Sequence, residues 1–143
     1  MRLWWTLRSE LLHAIHHIYG FFSVAVISAE WHAWVARVSK LRDIDSLRTA
    51  HEDFCVSVAA RCFIEDRFVA ELDAIDAILT LALRLRVQLE ALSTLPPAAH
   101  MAAARRWRKE LRRSIQLLTD TLDKQPESRA LSEALNFNYF YDG

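Results

Sequence analysis

The chain has two glycines and three prolines in 143 residues. Folds made of many short strands spend both residue types freely at their turns, so this scarcity excludes them and implies few connections between long elements. Two glycines also cannot furnish a phosphate-cradling loop. Cysteine is equally sparse. Cys55 and Cys62 stand one above the other in a helical pattern, roughly 10 Å apart along the axis, too far for a disulfide, so both thiols are expected reduced and the chain intracellular. Neither sign of charge dominates, with 18 basic and 18 acidic residues, and bulk attraction to nucleic acid or an anionic membrane is not expected. Long apolar runs are missing as well. The longest, residues 14–29, contains His16, His17 and Gly20, is shorter than a bilayer span and lacks a cleavage pattern after it, so neither a membrane crossing nor a signal peptide is expected.

What the sequence does contain is helix formers, Leu, Ala, Arg and Glu above all. Apolar residues recur at steps of three and four, and no stretch alternates with period two over a strand's length. The expected fold is all-α: a helical bundle of four long helices, a short C-terminal helix and an aromatic tail, in a single domain over residues 1–143. The first helix carries Trp4, Leu7, Leu11, Ile15, Ile18, Phe22 and Val26 on one stripe. A second stripe, Ile27, Trp31, Trp34 or Val35, and Val38, continues on a shifted face. Between them, residues 19–27 are apolar nearly all round and should need cover on more than one side. Asp45 is expected to cap the next helix, with Leu47, Phe54, Cys55, Val58 and Cys62 inward. Asp66 is expected to cap a third, bearing Phe68, Leu72, Ile75, Leu79, Ala82, Leu85, Leu89 and Leu92. Pro96 and Pro97 break the pattern. Met101, Ala104, Trp107, Leu111, Ile115, Leu118 and Leu122 line a fourth helix, and a short helix over 128–135 precedes Phe137, Tyr139, Phe140 and Tyr141, aromatics expected to dock on the helical body.

Possible reaction centres are thin. Glu10 and His13 share a helical face with His17, but a di-iron bundle needs the Glu-x-x-His pattern twice and this chain has it once. His51 and Cys55 lie one turn apart, yet a mid-helix cysteine beside Phe54 reads as a small buried apolar residue rather than a nucleophile. No metal, cofactor or catalytic residue is expected, and the chain reads as an interaction module, not an enzyme. Arg105, Arg106, Arg108, Lys109, Arg112 and Arg113 form a basic cluster broken only by Glu110. It reads first as a solvated face and second as a docking surface for an acidic protein; without interleaved exposed aromatics, nucleic acid is disfavoured.

The order of certain residues adds a resemblance. Leu3-Trp4 and Leu7-Arg8, then Trp31, then Ala50-His51-x-x-Phe54 with Cys62, and finally Leu135-Asn136-Phe137-Asn138 with its aromatics resemble the end of a gamma-tubulin complex component. Asn136 stands where that family has an acidic residue, and Gly20 interrupts a helix that is aromatic there. The resemblance implies the C-terminal portion of a larger helical domain that binds gamma-tubulin within a microtubule-nucleating complex. It also implies gamma-tubulin and other complex components as partners, and a place in the cytoplasm and cytoskeleton at the microtubule organizing center or spindle pole. Trp4, Arg8, Trp31, His51, Phe54, Phe137 and Asn138 would be the motif positions, structural or partner-binding. A generic helical scaffold or adaptor with an unrelated partner is the alternative. If helices of such a domain precede the chain, an uncovered apolar surface is expected along residues 19–34.

Overall fold

The computed structural model describes residues 2–91, 97–124 and 128–136, and among them there is no strand. The elements are α1 (Arg2–Gly20), a π-helical segment (Phe21–Ser28), α2 (Ala29–Val38), α3 (Ile44–Arg61), a 3-10 turn (Asp66–Phe68), α4 (Val69–Ala91), α5 (Pro97–Leu122) and α6 (Arg129–Leu135). The all-α reading holds, with four long helical runs and a short last one. Phe137, Asn138 and the other tail aromatics, with Leu92, Pro96 and Pro126, lie outside the described residues.

The chain divides into two compact units, one made of Met1–His17 with Ala70–Gly143 and the other of Ile18–Val69. In the first unit, α5 buries Ala104, Trp107, Leu111, Ile115, Leu118 and Leu122 as its periodicity predicts, while Met101 stays at the surface. Each such Leu or Ile contributes about 1.5–3 kcal/mol of burial. On α1 the buried residues are Trp4, Leu7, Leu11 and Ala14. Trp4 meets Trp107 edge to face, with ring centroids 5.7 Å apart. The α4 face departs from expectation: Leu72, Leu79 and Leu89 are exposed, and Glu71, Ala74, Ile75, Ile78, Leu81 and Leu85 are inside. The inward stripe is therefore rotated by about one residue, which a helix apolar on several sides leaves its own sequence unable to specify. Buried Ser128 donates through its hydroxyl to the Leu122 carbonyl at 3.2 Å, satisfying one of the orphan acceptors at the end of α5.

In the second unit the two offset stripes have a geometric cause. Residues 2–38 form one helical run, but over Phe21–Ser28 it widens to π geometry. The extra residue per turn rotates every later side chain to a new face. Phe21 and Val26 are buried there, and Phe22, expected inside, is only half-buried. A π segment also disturbs the usual carbonyl pairing: the Ala29 amide turns to Val26, and the Arg61 guanidinium donates to the Ala25 carbonyl at 3.2 Å. Arg61 also forms an ion pair with Glu30, so a single side chain holds α3 to both the π segment and α2. The full run of 37 residues is by length and composition apolar enough to cross a membrane, longer than residues 14–29 suggest. It carries a heavy polar load, however: Arg8, His13, His16, His17, His32 and the ion-paired Glu10 and Glu30.

Asp43, not Asp45, caps α3. Its carboxylate accepts from the Ser46 amide and the Ser46 hydroxyl, both at 2.7 Å, because Ser46 falls at the third helical position that an N-cap side chain reaches. Those two bonds hold the Asp43 carboxyl below the usual carboxylate range. Asp66 opens the 3-10 turn, one turn ahead of α4. Cys55, expected buried, is exposed, and of the α3 residues only Ala50 is fully inside. The helix ends in a Schellman arrangement: the Phe63 amide donates to Ala60 and the Ile64 amide to Ala59. Phe63 takes the left-handed position with φ 62°. Glycine usually sits there, and a bulky residue is tolerated because its ring is buried among Phe21, Phe22 and Phe68 at centroid distances of 5.2–6.0 Å.

Candidate partner interface

The structure brings Trp31, His51 and Phe54, three of the motif positions, into one aromatic cluster between α2 and α3. Trp31 and Trp34 are 5.0 Å apart, Trp34 and Phe54 5.7 Å, Trp31 and Phe54 6.2 Å, and Trp34 and His51 6.3 Å. The cluster follows from two helical repeats. Trp31 and Trp34 are three apart on α2, His51 and Phe54 three apart on α3, and each pair projects from one face of its helix. Beside it, a cleft of about 250 Å³ is lined by Glu30, Trp34, Arg37, Asp53 and Phe54 among others. The Arg37 guanidinium bonds Asp53 at 2.7 Å along its edge. The Trp34 Nε1 is buried without a hydrogen-bond partner among the described residues.

On the π segment and α2, Val24, Ile27, Trp31 and Val35 follow steps of three and four and are between 44% and 67% exposed. They form an apolar stripe on the outside of the helix, flanked by exposed Tyr19. This stretch coincides with the 19–34 surface expected from the overlapping stripes, while Phe21 and Val26 face inward. Water gains nothing from wetting such a stripe, and rings or branched chains at helical spacing are what partner helices and grooves take up.

The other motif positions are elsewhere. Trp4 is a core residue against Trp107, and Arg8 is exposed, in the same stretch where Arg8 lies over the Trp5 ring at 5.7 Å. Trp5 itself is largely exposed, and sequence reasoning missed it because it lies off both apolar stripes. The basic cluster on α5 is divided. Glu10, only 8% exposed, is gripped by Arg108 through three contacts of 2.6–3.1 Å and approached by Arg112 at 3.5 Å. Those two arginines therefore serve the first unit's interior, as does Glu10, which sequence spacing had paired with His13. Arg105, Arg106, Lys109 and Arg113 remain exposed.

Reaction chemistry has little to work with. His13 and His17 rings are 4.4 Å apart and His16 lies 6.0 Å from His17. Burial, then the charges of His13 and His16, hold His17 below the ordinary histidine range. No group of three or more His, Cys, Asp or Glu side chains among the described residues could hold a metal ion. Cys55 Sγ is 3.8 Å from the His51 ring, which also meets the Trp34 ring. Both thiols are free, and burial pushes Cys62 up from the ordinary thiol value, the reverse of what activates a nucleophile.

These features define an all-α chain whose prominent surfaces are an apolar helix face and a basic one. The family model for the C-terminal region of gamma tubulin complex components matches residues 1–141, and the chain belongs to that family. It is 28% identical over 72 residues to gamma-tubulin complex component 3 homolog of Xenopus laevis and, at the same identity and length, to gamma-tubulin complex component 3 of Homo sapiens. The match takes in 50% of this chain and 8% of each relative. Gamma-tubulin complex component 2 homolog of Drosophila melanogaster is 23% identical over 61 residues, 43% of this chain and 7% of that protein. The chain thus covers under a tenth of the relatives' length. No solved structure matches it.

Proposed function

We propose that this chain is a gamma-tubulin-binding component of a microtubule-nucleating complex and acts by contact, without catalysis. The family match over residues 1–141 carries this reading. The contact surface we assign is the stripe of Val24, Ile27, Trp31 and Val35, where Trp31 is anchored from behind by Trp34 and Phe54. A half-exposed tryptophan on a rigid aromatic base is the kind of residue that dominates interface energies. Other gamma-tubulin complex components are the remaining partners in this reading. The site of action is the cytoplasm and cytoskeleton, at the microtubule organizing center or spindle pole. The chain is read as one helical domain, part of the family's larger one, with no membrane span: the ion-paired Glu10 and Glu30 make the first helical run costly to place in hydrocarbon.

The test is capture of purified gamma-tubulin by the chain and by its Ile27→Ser, Trp31→Ser and Val35→Ser variants. Ile27→Ser and Val35→Ser, at exposed positions, should leave helicity and melting little changed, while Trp31→Ser keeps its helicity and melts somewhat lower for want of its packing on Trp34 and Phe54. The parent should retain gamma-tubulin, and Trp31→Ser should weaken capture by roughly tenfold or more, the loss of one hot-spot residue. Absence of capture by the parent, or equal capture by all variants, would overturn the reading.

A further inference from the structure

We infer that the outer face of α5 docks an acidic polypeptide segment, through Arg105, Arg106, Lys109 and Arg113. At 3.6 residues per turn these four fall within an arc of about 100° and span roughly 12 Å of helix axis. All four are exposed. None forms an ion pair among the described residues, in contrast to Arg108 and Arg112, which lie at the flank of the arc next to Arg105 and turn to Glu10. Glu110, one turn from Arg106, bonds Arg84 at 3.4 Å and offsets only part of the four charges, and Asp120 comes two turns beyond Arg113.

The arrangement works against the isolated helix. Arg105 and Lys109, and Lys109 and Arg113, are like charges four residues apart and repel. An arriving carboxylate cluster relieves that repulsion, so the face favours an acidic occupant by charge complementarity. A span of roughly 12 Å matches about four residues of extended peptide at about 3.3 Å each. Leu117, half-exposed one turn after Arg113, offers an apolar contact at the end of the track, as suits a polypeptide. Nucleic acid fits less well. Trp107, the one Phe, Tyr or Trp in the α5 sequence, is buried against Trp4 and offers no stacking platform, and the chain as a whole carries no net positive charge.

The inference stands apart from the gamma-tubulin reading, and its probe is a fluorescent octaglutamate peptide titrated into the full chain at low ionic strength. The parent should bind, and added salt should weaken binding. The R105Q/R106Q/K109Q/R113Q variant should bind roughly tenfold or more weakly, and the pairs R105Q/K109Q and R106Q/R113Q should each show part of that loss. The pairs keep the test decisive if the quadruple variant misfolds. K40Q/R42Q/R48Q/R67Q removes equal charge from the other unit and should stay within about twofold of the parent. Equal loss in both quadruple variants would overturn the inference. So would a DNA duplex or a phosphatidylserine vesicle that binds more tightly than the peptide through the same four residues.

Discussion

Phe63 shows how one side chain can hold a backbone conformation that its own chemistry disfavours. The left-handed conformation costs a non-glycine residue roughly 1–2 kcal/mol, whereas removing a buried phenylalanine ring costs about 3–5 kcal/mol. Packing wins. Urea unfolding should therefore rank the parent above Phe63→Gly, and Phe63→Gly above Phe63→Ala by about 1 kcal/mol, because alanine loses the ring and keeps the strain. An alanine variant as stable as the glycine one would mean that φ 62° is not under strain. His17 supplies a second test at this scale. Its pKa lies below the ordinary value, chiefly through burial and secondarily through His13 and His16. The unfolded chain then takes up a proton at higher pH than the folded one, so stability rises with pH in that window. The contribution should be intact above about pH 6.5 and be lost as pH falls from there toward the folded value. The melting temperature should drop between pH 7.5 and 5.5, and His17→Gln should shrink the drop; an unchanged drop would assign it to other groups.

Among the elements, α5 was the most legible and α2 the least. Six of the seven residues read as the inner stripe of α5 are buried, since that helix has one apolar face and charges elsewhere. On α4 leucines point several ways, and the inward face was read one residue off. On α2 no residue is fully buried, and the helix is held by Trp34 against Phe54 and by the Glu30 and Arg37 ion pairs. The exposed Arg37–Asp53 pair contributes little, typically under about 1 kcal/mol, and the part-buried Glu30–Arg61 pair is a single further tie. Opening of α2 should thus be easier than opening of α5, whose face is wholly covered. Amide hydrogen exchange should show the amides of Val35 to Val38 exchanging well before those of Leu111 to Leu118. Comparable protection in the two stretches would show that α2 is braced by more than these contacts.

For the whole molecule, the sequence by itself determined the all-α class, the number of long helical runs, the inner face of α5 and the family. Helix formation and face burial depend on residues three and four apart, and motif order is written along the chain, so both can be read locally. Trp31, His51 and Phe54 were nameable as motif positions, but only tertiary structure put their rings together across α2 and α3. It also decided that Trp4 packs on Trp107, that Cys55 is exposed and that Asp43 is the cap actually used. The clearest case is Glu10. Local spacing set it beside His13, while the fold gives it to Arg108, 98 positions away, and that choice sets Arg108 and Arg112 apart from the other four cations of the basic cluster. No periodicity encodes such a pairing, because which distant charge meets a buried carboxylate depends on how separate helices pack, and each helix sequence specifies only its own face.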